Sequence, residues 1–365
     1  MKVPYINLGL QSRDIKTEIL ESIGNLLDSG MFVLGEEVAK FETSFAGLCE
    51  TKYAVSVANG TDALILAMKA LGIGMGDEVI TAPNSFLASA SSIALVGATP
   101  VFADVEDDMN ISPEKIEAAI TDKTKAIIPV HLTGRPAKMD EINAIAQKHN
   151  LYVIEDAAQA VGAKYKGKSV GSLGDLGAFS LHPLKNLSAA GDGGVITTND
   201  EKLYQWLLKA RNHGLKSRDE CEFWSLNSRL DEVQAALLNV KLRKLNEWTE
   251  RRRQIADMYR EGLSDLVKVP QERSDEKPVY HTFIIETENR DDLQPYLAEK
   301  GIDTKVHYPI PIHLQEAAKN LGYKKGDFPE SEKQVEGILS LPVYPELTDE
   351  QVNYVIANTR EFFML

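Results

Sequence analysis

Leu151-Tyr-Val-Ile-Glu155-Asp156-Ala-Ala-Gln159 reads as a short apolar strand that ends in a carboxylate and turns through two small residues to an amide. Working outward, similar runs recur at Ala54-Val-Ser-Val57, Glu78-Val-Ile-Thr81, Pro100-Val-Phe-Ala103 and Lys125-Ala-Ile-Ile-Pro-Val130, then at Gly177-Ala-Phe-Ser180 and Gly194-Val-Ile-Thr197. Stretches with helical spacing separate the earlier runs. That alternation predicts an α/β fold with a mostly parallel central sheet flanked by helices. Such sheets bind ligands at the carboxyl ends of their strands. The polar residues that follow strands therefore matter most: Asn59-Gly-Thr61, Asp156 with Gln159, and Ser180 to Lys185.

Around this centre the chain carries further helical patterns. Ile15, Ile19, Ile23 and Leu27 predict a helix over 13–28, with Ser12 as N-cap and Gly30 as the stop, and Val38, Phe41, Phe45 and Leu48 predict a second. From about residue 230 one long helical stretch runs through Leu237, Val240, Leu242 and Leu245 toward Tyr259; beyond it the strand Tyr280-His-Thr-Phe-Ile-Ile-Glu286 begins a smaller α+β unit. Two domains are expected, a large α/β domain over 1–250 and a small one over 251–365, since a chain of 365 residues exceeds the size of a single core.

Composition narrows the function. Lys and Arg total 40 against 54 Asp and Glu, and a net charge of −14 repels phosphate polymers, so nucleic acid is not an expected partner. The basic run Arg251-Arg-Arg253 lies in a charge-alternating helical stretch and reads as a solvated face. Cys49 and Cys221 stand far apart with no metal-ligand spacing, which predicts neither a disulfide framework nor a metal site and points to a reducing compartment. Met1-Lys-Val-Pro-Tyr-Ile-Asn7 shows no signal-peptide pattern, and no run reaches bilayer-spanning length. A soluble cytoplasmic protein without membrane contact is expected.

Three groups carry the chemistry. Asn59-Gly-Thr61 leaves a strand and opens a helix, so free amides and the positive helix end form an anion site, although the same tripeptide also serves as an ordinary helix start. Asp156 could merely cap the next helix; as the partner of a pyridinium it would keep that ring charged. Lys185 lies between an apolar strand and Gly191-Asp-Gly-Gly194, in a segment with no amphipathic pattern, where desolvation favours the free amine that a Schiff-base nucleophile needs. A phosphate site, a ring-nitrogen partner and a reactive lysine are the handles of pyridoxal 5′-phosphate (PLP). Ser180 adds a hydroxyl toward the phosphate.

With these handles in this order, the chain resembles the DegT/DnrJ/StrS family of PLP-dependent nucleotide-sugar aminotransferases, within the fold-type I aminotransferase superfamily. The resemblance runs nearly end to end, through Ser29-Gly-Met-Phe-Val-Leu-Gly35, Asn59-Gly-Thr-Asp-Ala-Leu64, Pro83-Asn-Ser-Phe86, Glu155-Asp-Ala-Ala-Gln-Ala160, Ser180 to Asn186, Asn227-Ser-Arg229 and His307-Tyr-Pro309 with His313-Leu-Gln315. It implies Lys185 as the Schiff-base lysine and catalytic acid and base, Asp156 as partner of the ring nitrogen, and Gln159 beside the ring hydroxyl. Gly60, Thr61 and Ser180 match phosphate-binding positions, and Phe86 matches the residue stacked on the ring. Asn227 corresponds to a residue reaching the phosphate of the neighbouring subunit, so a homodimer with shared sites is implied. His182, Tyr308 and His313 are candidates for the sugar pocket, with loop bracing as the alternative for each.

The resemblance further implies glutamate as amino donor, 2-oxoglutarate as its product, pyridoxamine phosphate as the carrier and a nucleotide-linked keto-sugar as acceptor. Asp192 favours amination at C3 over C4. Lys185 disfavours the dehydratase branch of the family, where histidine replaces the lysine. Another fold-type I lyase, or a regulatory protein that keeps the pocket and only binds, are the other readings; the acidic surface argues against DNA recognition.

Overall fold

The computed structural model describes residues 1–364. Its strands in chain order are β1 Tyr53–Val57, β2 Glu78–Thr81, β3 Thr99–Phe102, β4 Thr124–Ile128, β5 Tyr152–Asp156, β6 Lys164–Tyr165, β7 Lys168–Ser169, β8 Leu176–Ser180, β9 Gly194–Thr198, β10 Glu276–Lys277, β11 Phe283–Glu286 and β12 Ile338–Leu341. Seven of them form the main sheet in the order β1-β9-β8-β5-β4-β2-β3. The pairs from β8 through β3 are parallel, whereas β9 runs antiparallel to both β8 and β1. One reversed strand in an otherwise parallel sheet is the mostly parallel architecture expected from the alternation of runs.

Helices cover both faces: α1 Leu8–Gln11, α2 Lys16–Ser29, α3 Glu36–Cys49, α4 Gly60–Ala70, α5 Leu87–Leu95, α6 Pro113–Ala119, α7 Met139–His149, α8 Glu201–Ala210, α9 Glu232–Leu242, α10 Leu245–Leu263, α11 Arg290–Glu299, α12 Pro329–Gly337 and α13 Asp349–Phe362. On one face Phe41 and Phe45 of α3 pack with Phe179 of β8 and Leu238 of α9; on the other, α4 lays Leu64, Leu66, Ala67 and Met68 against Val55, Ile154 and Ile196. Because both faces are covered, the strands are apolar along nearly their whole length.

Several local expectations are corrected. Ser12 is not the N-cap of α2; it closes α1, its hydroxyl donating to the Leu8 carbonyl, and α2 starts after Ile15. Gly30 ends α2 with φ of 66°, as expected of a left-handed stop. Leu27 is 64% exposed while Leu26 is buried, because strict steps of four residues drift about 40° each around a helix and the third step leaves the core face. The long stretch past residue 230 is two helices that break at Arg243 and Lys244 without Gly or Pro to announce it. The strand expected from Tyr280 starts at Phe283, since Tyr280 has φ of 46° and cannot extend.

Residue 250 lies inside α10. The start of that helix, Leu245, packs with the main-sheet core, and Ile255, Tyr259 and Leu263 pack with β11, β12, α11 and α13. Val3 joins this second core and pairs with Ile302, although it lies at the other end of the sequence.

Candidate active site

The main sheet gathers its polar residues where the expectation put them. Val57 pairs with Gly194, and Gly194 pairs in turn with Ser180, so the end of β1, the end of β8 and the start of the reversed β9 meet. The approach leaves no room for side chains: a Cβ on Gly60 would lie 2.8 Å from Ser180 Cβ, and one on Gly194 would lie 2.3 Å from the Asn59 carbonyl oxygen. Asn59 caps α4, its side chain accepting the Asp62 N–H at 2.8 Å and its carbonyl the Ala63 N–H. That leaves the Gly60 and Thr61 amides at a positive helix end for an anion.

A cavity of about 640 Å³ opens over this turn and is lined by Gly60, Thr61, Phe86, Asp156, Gln159 and Ser180, together with His182, Lys185 and Tyr308. Asn227 and His313 are not among its walls. Asn227 is exposed, on the loop that pairs with Asn212. His313 is buried against Phe328 and its Nε2 lies 3.0 Å from Glu332, which braces the segment around residues 312–332.

Lys185 sits in a turn after β8, its N–H donating to the His182 carbonyl at 2.8 Å, and the next residue, Asn186, ties the turn to Val279 by a 2.9 Å bond. Burial pulls the Lys185 ammonium down to about 8, the charge of Asp156 opposing it. Burial likewise pushes the Asp156 carboxyl up, against the Ser89 hydroxyl and the Ala158 N–H, which both donate to it. A lysine near neutrality facing a hydrogen-bonded carboxylate is a nucleophile beside a site for a protonated ring nitrogen.

Gln159 is fixed at both ends: its Oε1 accepts the Thr133 N–H at 2.8 Å and its Nε2 faces the Tyr308 hydroxyl at 3.4 Å. Phe86 leaves 53% of its surface open and lies 5.6 Å from the Tyr308 ring. An exposed aromatic face at a cavity wall is what a flat ligand stacks on.

Sequence reasoning missed four residues here. His281 and His307 line the cavity beside Lys185. Burial pulls His307 down to about 4 and His281 well below its usual range, so both are neutral imidazoles near pH 7. Ser85 and Ser89 also line it, and their spacing of four on a helix start was the available signal.

These residues fit PLP on three counts: a backbone cradle that a Cβ would fill, a desolvated lysine, and a buried carboxylate. Among the described residues no group of three or more His, Cys, Asp or Glu is arranged to hold a metal ion, and no helix is long and apolar enough to cross a membrane.

The comparisons with known proteins agree with this geometry. A model of the DegT/DnrJ/EryC1/StrS aminotransferase family matches residues 13–360. The chain is 47% identical to a pleiotropic regulatory protein of Geobacillus stearothermophilus, over 100% of this chain and 99% of that one. It is 45% identical to dTDP-3-amino-3,6-dideoxy-alpha-D-galactopyranose transaminase of Aneurinibacillus thermoaerophilus, over 97% and 98% respectively. Among solved structures, the crystal structure of S. venezuelae DesV in complex with a ketimine intermediate superposes with a TM-score of 0.97 at 42% identity, covering 99% of this chain and 98% of that one.

Proposed function

The chain belongs to the DegT/DnrJ/EryC1/StrS aminotransferase family, and from that premise we propose that it moves an amino group from glutamate to C3 of a nucleotide-linked keto-deoxy-sugar, as a homodimer with shared sites. Enzymes of this family use PLP. The observation that carries the reading is the placement of Lys185, desolvated to about 8, opposite Asp156 in a cavity whose floor is an open helix start.

When bound, PLP supplies an electron sink for the carbon that carries the amine. The Gly60 and Thr61 amides and the Ser180 hydroxyl would hold its phosphate, Phe86 its ring face, Asp156 its ring N–H and Gln159 its phenolic side. Lys185 Nζ would hold the cofactor and, as the free amine, would accept the proton of the amino-acid carbon. In the second half-reaction the same nitrogen would deliver a proton to the sugar carbon. Neutral His281 and His307 offer hydrogen bonds to the acceptor without competing for that proton.

Amination at C3 draws support from Asp192, which lines the cavity, and from the 3-amino product named for the relative from Aneurinibacillus thermoaerophilus. A dimer draws support from Asn227, exposed on a loop outside its own cavity and therefore free to serve a neighbour's. Cys49 and Cys221 are free thiols, which suits a cytoplasmic setting. An intact Lys185 speaks against a pocket kept for binding alone.

The test is direct. The pyridoxamine phosphate form of the purified protein is mixed with a panel of nucleotide keto-sugars, and the absorbance of the lysine-bound cofactor is followed. A 3-keto sugar should restore it; restoration by 4-keto sugars alone would overturn the regiochemistry, and by none of the panel the substrate class.

A further inference from the structure

Ser85, just ahead of the N-cap Phe86, and Ser89, in the first turn of α5, flank the aromatic residue of the site, and both are buried, 4% and 0% exposed. Serines at a helix start ordinarily spend their hydroxyls on backbone amides. Here the N-cap position is Phe86, with no side-chain cap bond, and the Ser89 hydroxyl donates instead to Asp156 Oδ2 at 2.6 Å. The Ser85 hydroxyl lies 2.8 Å from that of Ser89. A hydroxyl has one hydrogen, and Ser89 gives its hydrogen to the carboxylate, so Ser85 must be the donor of the second bond. The relay therefore runs one way, toward Asp156. The other carboxylate oxygen accepts the Ala158 N–H at 3.2 Å, and the Asp156 backbone is bonded on both sides, its N–H to Pro129 and its carbonyl to His131.

We propose that the Ser85–Ser89 hydroxyl pair is a positioning device for transamination, one that holds the Asp156 carboxylate oriented and charged toward the ring N–H of PLP. The inference rests on the reading of Lys185 and Asp156 as PLP anchors given above. Burial alone drives Asp156 toward the neutral acid, and the Ser89 bond is the largest influence that opposes it. Without that bond the carboxylate becomes the stronger base and takes the ring proton, and the electron sink weakens. Phe86 sits between the two serines, so a single helical turn sets both the face of the ring and the charge at its nitrogen.

The experiment compares the full-length holoenzyme with Ser89→Ala, Ser89→Thr and Ser85→Ala, by pH titration of the visible absorbance of the lysine-bound cofactor and by PLP affinity of the apo forms. Ser89→Ala should raise the titration midpoint, because an uncharged ring leaves the imine nitrogen more basic, and weaken PLP about tenfold or more, as expected for a lost bond to a charged group. Ser89→Thr should restore both, and Ser85→Ala should give a smaller shift in the same direction. A Ser89→Ala enzyme with the wild-type midpoint and affinity, even with a lowered melting temperature, overturns the proposal; if that variant does not fold, an unchanged midpoint in Ser85→Ala does so. Borohydride reduction of the wild type separates the premises: no label on Lys185 would sink the functional reading itself, whereas a labelled wild type beside an unaffected Ser89→Ala sinks only the relay.

Discussion

The hydroxyl of Ser228 donates to a carboxylate oxygen of Asp62 at 2.6 Å and accepts the Ala58 N–H at 3.1 Å. The loop that carries Asn227 is thereby fastened to the turn that carries Gly60 and Thr61. Ser228→Ala leaves the half-buried Ala58 N–H without its acceptor, which costs about 1 kcal/mol, the low end of the range for a stranded donor. PLP titration of the apoprotein and urea unfolding should both show the loss. Unchanged values in the two assays would mean that this bond anchors nothing.

Lys185→Ala should abolish the visible absorbance of lysine-bound cofactor and lower turnover by several orders of magnitude, since one nitrogen serves as tether and proton carrier. Borohydride should then fix no PLP to the chain. Full activity in this variant would remove the lysine from the chemistry.

The amine of Lys185 loses its proton near pH 8 instead of 10.5. Reconstitution of the apoprotein with PLP should accelerate as pH rises through about 8, following the free amine. Stability should move the same way. Between the two values the unfolded chain binds more protons than the folded one, so apoprotein stability rises with pH across that window and is lowest below it. A reconstitution rate that climbs only above pH 10 would contradict the desolvated placement.

Gly194→Ala puts a methyl 2.3 Å from the Asn59 carbonyl oxygen, a backbone atom that cannot swing aside. Gly191→Ala meets only the end of the flexible Gln234 side chain, at 3.0 Å. PLP affinity should therefore fall by more than about tenfold in the first variant and little in the second, a difference of about 1.4 kcal/mol or more. Equal effects would show that the turn above β1 tolerates displacement.

Glu232, 1% exposed, accepts the N–H groups of Gly35, Glu37 and Val38 at the start of α3. Glu232→Ala strands those donors and should cost about 2–4 kcal/mol, read as a lower urea midpoint with an unchanged m-value. A shift below about 0.5 kcal/mol would mean that water replaces the carboxylate.

Much of this site was legible because its members sit at ends of strands that the apolar runs announce. Asp156 and Lys185 each follow such a run, and a parallel sheet collects strand ends without further information. Ser89 was not legible, for its partner Asp156 is 67 positions away and nothing local records the contact. His281 escaped for a similar reason: Tyr280, expected inside a strand, instead turns the chain and brings the imidazole to the cavity. His313 shows the converse, since a motif can be present in sequence while its side chain faces a neighbouring helix. The core stripe of α2 was mistaken at Leu27 because step counting ignores how far a helix rotates.

The pairing of Val3 with Ile302 gives the order of synthesis a structural meaning. As the ribosome extends the chain, the central sheet has all seven of its strands by Thr198, long before the segment that receives Val3 exists. The first residues must therefore wait, unsheltered, until nearly the whole polypeptide has emerged. A bulky tag fused ahead of Met1 would burden that late docking event more than the folding of the main sheet.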